Sequence, residues 1–126
     1  MKIPPSPVND FLGVEVTDHD DGSVELTLAT GSDHKNEVGL VHGGIIGFLL
    51  DGAMGRAVGR TLEPGQICAT VQLSVQYVAA ASGTIAARSR TVRRGRTTAF
   101  MEAECTGEDG KLVARAHGTW VIRGAP

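Results

Sequence analysis

Between residues 36 and 51 the chain sets out an amide, an imidazole, two adjacent glycines and a carboxylate: Asn36, His42, Gly43, Gly44 and Asp51. The two glycines open a long apolar stretch that reads as a helix. Their N–H groups therefore lack intrahelical acceptors, and the helix dipole adds partial positive charge there. With no side chain on either glycine, a carbonyl that develops negative charge can approach those N–H groups closely. Asp51 stands nine residues beyond His42 inside a run of Ile, Leu, Phe and Ala. A carboxylate there is costly to bury unless it has a partner or a chemical task. It can act as a general base toward water or as a nucleophile, and the residues leave both open. Asn36 can hold a carbonyl or a water through its amide, and Asn in a glycine-rich loop equally serves a turn. His42, at the helix start, is read as a supporting residue that touches the reacting group or fixes the loop.

These residues need a scaffold, and 126 residues provide one domain, 1–126, with a single core. The prolines at 4, 5 and 7 keep the start extended, and Val8 to Leu12 reads as one helical turn ending near Gly13. Val14–Thr17 and Val24–Leu28, separated by Asp20-Asp21-Gly22, predict a hairpin. Residues 30–41 hold Gly31, Ser32, Asp33, Asn36 and Gly39 and predict an irregular connection. Gly43 to Leu62 is apolar nearly all round, too long for a strand, and stopped by Glu63-Pro64-Gly65, so it predicts a buried helix. From Thr70 the period drops to two, without a fault through Tyr77, and Thr84–Arg93, Thr97–Thr106 and Lys111–Ile122 follow as strands. The short separators predict a four-stranded antiparallel meander. The sum is an α+β fold in which a curved antiparallel sheet wraps one long central helix and buries all its faces.

Composition excludes several classes. The chain is 41% hydrophobic and 21% charged, with a formal charge of −2, so no overall positive field draws it to nucleic acid or an anionic membrane. No apolar run approaches the ~20 residues of a membrane span. Cys68 and Cys105 lack zinc spacing and disulfide density and read as reduced core thiols. His19, His34 and His117 share no spacing with one another, so no metal site is expected. The proline-rich start is unlike a secretory signal, which makes a cytoplasmic address the expectation. No Lys-Ser or Lys-Thr follows the Gly39–Gly44 segment, and no G-x-S-x-G occurs, which sets aside phosphate-loop and serine-nucleophile chemistry.

The stretch Asn36-Glu37-Val38-Gly39-Leu40-Val41-His42-Gly43-Gly44, with Asp51 in the helix, resembles the active-site signature of PaaI-like hotdog-fold acyl-CoA thioesterases of the 4-hydroxybenzoyl-CoA thioesterase superfamily. Val71–Tyr77, Gly83, Arg93-Arg94-Gly95-Arg96 and Gly110–Ala114 extend the likeness. The resemblance implies hydrolysis of an acyl-CoA, of aryl or phenylacetyl type among others, with no cofactor beyond the coenzyme A of the substrate. It implies a hydroxyl at Thr70 that orients water. Five arginines, Arg88, Arg90, Arg93, Arg94 and Arg96, gather near one hairpin whose tip, Arg94-Gly95-Arg96, suits the phosphates of coenzyme A. Strand alternation predicts that Arg93 and Arg94 point to opposite faces. Asp51 lies eight residues beyond Gly43, about 12 Å along a helix axis, so one chain does not join them. A two-fold dimer with antiparallel helices does, and the family builds its site so. The expectation is a homodimer whose sites each take Asn36, His42 and Gly43 from one chain and Asp51 from the other; the family often pairs such dimers into tetramers. The alternatives are a dehydratase of 3-hydroxyacyl thioesters and a non-catalytic acyl-CoA-binding module.

Overall fold

The structure is a computed structural model that describes Ile3 and residues 6–124; the expectation for Pro4 and Pro5 falls outside those residues. A short helix α1 (Pro7–Leu12) is capped by Ser6 and ends on Gly13 at φ 83° as the sequence predicts, but Pro7 is its first residue rather than part of an extended start. The predicted hairpin forms as β1 (Glu15–Asp18) and β2 (Val24–Ala29). A single 3₁₀ turn at Ser32–His34 interrupts the connection to the long helix α2 (Gly43–Gly59). Four strands follow: β3 (Ile67–Tyr77), β4 (Thr84–Arg94), β5 (Thr98–Thr106) and β6 (Leu112–Arg123). They form one six-stranded antiparallel sheet in the order β1-β2-β4-β5-β6-β3, curved over α2.

The core lies between α2 and the inner sheet face. Ile46, Leu49, Leu50, Ala53, Met54, Ala57 and Val58 bury against Leu26, Ile85, Met101, Cys105, Trp120 and Ile122. α2 carries glycines that weaken an isolated helix by about 1 kcal/mol each relative to alanine, so tertiary packing must hold it. One of them shows what is gained: a Cβ on Gly52 would lie 2.6 Å from Leu26 Cδ2, so the Leu26 side chain packs directly on the helix backbone there. The C-terminal half of α2 is tied to the first hairpin by Arg56, whose Nε and Nη2 donate to Asp18 at 2.8 and 2.9 Å. Arg60 adds two bonds from Nη1 to the carbonyls of His19 and Ser23.

Four expectations are corrected. The helix ends at Gly59 rather than Leu62, with Arg60 as its cap. Only three strands of the four-stranded meander form in sequence order, β4-β5-β6, because β3 pairs with β6 at the far edge while β4 pairs with β2 and β5. A connection from Val78 to Gly83 is long enough either to turn or to cross three strands at ~4.8 Å spacing, so its length did not decide the pairing. Side chains did: β4, β5 and β6 bury Ile85, Met101, Cys105 and Trp120, whereas β3 presents Thr70, Gln72, Ser74 and Gln76 and suits an edge. The alternation of β3 has a fault, a bulge between Thr70 and Gln72. Finally, the sheet covers only one side of α2, leaving Gly44 exposed and Ile45, Phe48 and Asp51 half-buried on the other.

Candidate active site

The bulge at Val71 is the device that builds the first part of the site. In a regular strand Thr70, Gln72, Ser74 and Gln76 would share one face. The extra residue shifts the phase, so Thr70 pairs opposite buried Trp120 and Tyr77 opposite buried Ala114, while Gln72, Ser74 and Gln76 face outward. Thr70 thereby points at α2, and its Oγ1 donates to Asp51 Oδ1 at 2.9 Å. Asp51 is half-buried and Thr70 exposed, so the carboxylate is held within reach of a ligand from the open side.

The second part lies at the N-terminus of α2. Asn36 Oδ1 accepts from the backbone N–H groups of Val38 and Leu40, both at 3.1 Å. Two N–H donors can meet only the carbonyl oxygen of the amide, so Nδ2 is turned away as a donor. The sequence offered a turn role or a chemical role for Asn36; the structure shows the turn, which leaves the amide NH₂ free of it. His34 braces the same loop. Its Nδ1 accepts from Gly31 N–H at 3.0 Å, its Nε2 donates to the Leu12 carbonyl at 2.8 Å, and its own carbonyl accepts from His42 N–H at 2.8 Å.

His42 caps α2, accepting from Gly44 N–H on Nδ1 at 2.8 Å. With Nδ1 an acceptor, the neutral ring carries its hydrogen on Nε2 and offers that edge as a donor. Gly44 N–H is thus spent on the cap. Ile45 and Ile46 N–H both meet the His42 carbonyl, and among the described residues Gly43 N–H alone of the first four has no acceptor. Gly43 is therefore the free donor expected of the pair, and Gly44 is not. Tyr77 was not expected: its hydroxyl donates to the Gly43 carbonyl at 2.7 Å. A Cβ on Gly43 would sit 3.3 Å from the tyrosine ring, and one on Gly47 3.4 Å from its hydroxyl. The signal in the sequence was the only tyrosine closing β3, together with side-chain-free positions at 43 and 47.

Asp51 and Gly43 stand two turns apart on one helix, about 12 Å by helical rise, as the spacing predicts. One chain thus holds two separate polar groups: a cluster of Asn36, His42 and Gly43, and a carboxylate with its hydroxyl partner. Neither Asp51 nor the donor cluster lines a concavity of about 960 Å³ on the outer sheet face, which is bordered by Arg88, Arg90, Glu102, Glu104, Arg115 and His117.

The arginine hairpin is divided as strand alternation predicts. Arg93 is paired opposite exposed Phe100 and Arg94 opposite buried Ala99. Arg94 is committed within the chain: Nε donates to Thr61 Oγ1 at 2.9 Å, Nη2 to the Thr61 carbonyl at 3.3 Å and Nη1 to the Gly95 carbonyl at 2.7 Å. Gly95 closes the tip, its N–H on the Thr98 carbonyl. Arg88 binds Asp21 and Ser23, and Arg90 binds Glu102. Among the described residues Arg93 and Arg96 form no salt bridge and keep free guanidinium groups. Neither cysteine supplies a nucleophile, since burial pushes the Cys105 thiol up to about 11 and raises that of Cys68, against the weaker pull of Arg94. No helix among the described residues is long and apolar enough to cross a membrane.

Comparison with known proteins places this geometry in a family. The thioesterase superfamily profile matches residues 38–114, more than half of the chain. A candidate esterase of Halobacterium salinarum is 38% identical over 98 residues, 73% of this chain and 64% of that protein, so the chain spans under two thirds of that relative's length. A Bacillus halodurans protein crystallised with CoA superposes with a TM-score of 0.89 at 28% identity, covering 97% of this chain and 82% of its own. A candidate thioesterase of Ralstonia eutropha, described as phenylacetic acid degradation-related, gives a TM-score of 0.85 at 35% identity over 94% of this chain and 92% of its own. The curved six-stranded sheet on one long helix is the hotdog fold of these proteins, and the chain belongs to the thioesterase superfamily.

Proposed function

We propose that the protein hydrolyses the thioester of an acyl-CoA to the free acid and CoA, at sites shared between two copies of the chain. The observation that carries this reading is the pair of half-sites on α2, donors at Gly43 and a carboxylate at Asp51, too far apart to serve one carbonyl within a chain. Two such helices running antiparallel across a two-fold axis set the Gly43 of one opposite the Asp51 of the other. The half-open side of α2 and the edge strand β3, with Val71 and Tyr77 61% and 55% exposed, are the surfaces such a pairing would cover. Two of these dimers associating into a tetramer is the larger assembly, read by sedimentation.

In the shared site the acyl carbonyl accepts from Gly43 N–H and Asn36 Nδ2, with His42 Nε2–H supporting the thioester. Water, oriented by Thr70, adds to the carbonyl carbon while Asp51 takes its proton; the tetrahedral intermediate collapses, the carbon–sulfur bond breaks, and CoA leaves as the thiolate. Direct attack by Asp51, giving a mixed anhydride that water then opens, uses the same groups. Protein groups and water suffice for either route. Arg93 and Arg96, without salt bridges, are the guanidinium groups available to CoA phosphates, whereas Arg94 holds the hairpin to Thr61 and Gly95. The description of the Ralstonia relative makes aryl- and phenylacetyl-CoA the first substrates to try.

The test is free-thiol release over a panel of aryl-, phenylacetyl-, medium-chain and branched acyl-CoAs. Stoichiometric acid and thiol are expected, with Asp51→Asn lowering kcat by about 10²–10⁴ while the chain stays folded. An enoyl thioester as product, binding without turnover, or full activity in Asp51→Asn would each overturn the reading.

A further inference from the structure

Tyr77 and His42 meet the same peptide group from opposite sides. The tyrosine hydroxyl donates to the Gly43 carbonyl at 2.7 Å, and the N–H of that same amide, which belongs to Gly44, donates to His42 Nδ1 at 2.8 Å. Tyr77 Oη, the Gly43–Gly44 amide and the imidazole therefore form one continuous hydrogen-bonded chain that ends at His42 Nε2–H. A proton donor on an amide oxygen draws electron density from the amide nitrogen and makes its N–H a stronger donor. That N–H in turn draws on the Nδ1 lone pair, which strengthens Nε2–H as a donor at the far edge of the ring.

Packing shows that this contact is built rather than incidental. The ring of Tyr77 lies over Gly43 and its hydroxyl over Gly47, two positions where no Cβ stands between the tyrosine and the backbone of α2. The bulge at Val71 sets the phase that turns Tyr77 inward, the same phase shift that places Thr70 on Asp51. Just beyond the strand, the N–H groups of Val78 and Ala79 both donate to the Val113 carbonyl, at 2.8 and 3.1 Å, and anchor its end. We propose that Tyr77 is a positioning residue: through the Gly43–Gly44 amide it holds His42 as an Nε2–H donor and strengthens that donor toward the reacting thioester. This role rests on the hydrolase reading, since the acceptor of Nε2–H is the thioester.

A donor whose strength is felt as charge develops affects kcat rather than binding. Tyr77→Phe keeps the ring on Gly43 and removes only the hydroxyl. It is expected to lower kcat about three- to tenfold with KM within about twofold. In ¹⁵N spectra of the ligand-free protein the His42 Nδ1 resonance should move downfield as its hydrogen bond weakens. In a His42→Ala background the added effect of Tyr77→Phe on kcat should shrink toward none, because the group it acts through is gone. A purely structural tyrosine would lower the melting temperature without moving Nδ1. An unmoved Nδ1 resonance, or the same loss in kcat with and without His42, overturns the proposal. If the wild-type protein turns over no acyl-CoA, the hydrolase reading fails, and the Nδ1 shift alone still decides whether Tyr77 and His42 are coupled.

Discussion

At the scale of residues, the site depends on which atom of each side chain is already occupied. Asn36 makes the point: its oxygen is committed to Val38 and Leu40 N–H, so only its NH₂ can reach a ligand. The two functions of that side chain can be separated. Asn36→Asp keeps an acceptor for the loop but offers no donor, and is expected to lower kcat/KM about a hundredfold with the melting temperature nearly unchanged. Asn36→Ala loses both, and should also lower stability by about 1 kcal/mol, read from denaturant unfolding. Equal activity in wild type and Asn36→Asp would show that the amide donor is not used. The types of these residues were legible in the sequence. Which of Gly43 and Gly44 keeps a free N–H was not, because it depends on the imidazole rotating onto Gly44, a contact that spacing alone does not reveal.

At the scale of elements, two features hold α2 in register with the sheet. The first is the bulge. It lets Thr70 and Tyr77 both face inward, so that Thr70 Oγ1 reaches Asp51. Thr70→Val removes the hydroxyl from that position, and kcat is expected to fall about tenfold in a chain that keeps its circular dichroism; unchanged turnover would mean that the Thr70 hydroxyl is not needed. The second is the Asp18–Arg56 pair. Its hydrogen bonds hold the Asp18 carboxyl below its ordinary 3.8, in spite of some desolvation. A carboxylate with a depressed folded-state pKa contributes stability above its unfolded value, and that contribution is lost as pH falls through the folded value. Asp18 is 37% exposed, so solvent screening reduces the pair to about 0.5 kcal/mol. Asp18→Asn should therefore unfold at slightly lower denaturant than wild type at pH 7, with the gap closing well below pH 3.8. A gap that persists in acid would show that the effect is not the charge.

At the scale of the whole molecule, one protomer leaves β3 as an open edge and one side of α2 uncovered, with its two half-sites on that side. If each site draws on both chains, two impaired variants can complement each other. A heterodimer of Asp51→Asn and His42→Ala chains has one site with both groups intact and one with neither. Random reassortment of equal amounts should therefore add to the residual activities about a quarter of wild-type activity. Activity that stays at the level of the two variants measured apart would show that each site lies within one chain.

The sequence by itself determined the elements and their chemistry: the hairpin, the one long helix, the strands after it, and an Asn, His, Gly and Asp set at spacings that belong to one kind of site. Hydrophobic period, turn residues and helical rise are local properties, and they are written in neighbouring positions. Only the tertiary structure decided the order of the strands, the phase of β3 and the partners of each polar atom. β3 lies beside β6 because its polar face suits an edge while Met101, Cys105 and Trp120 need the centre. The bulge at Val71 and the chain from Tyr77 to His42 join residues distant in sequence, and such contacts are set by how the whole core packs.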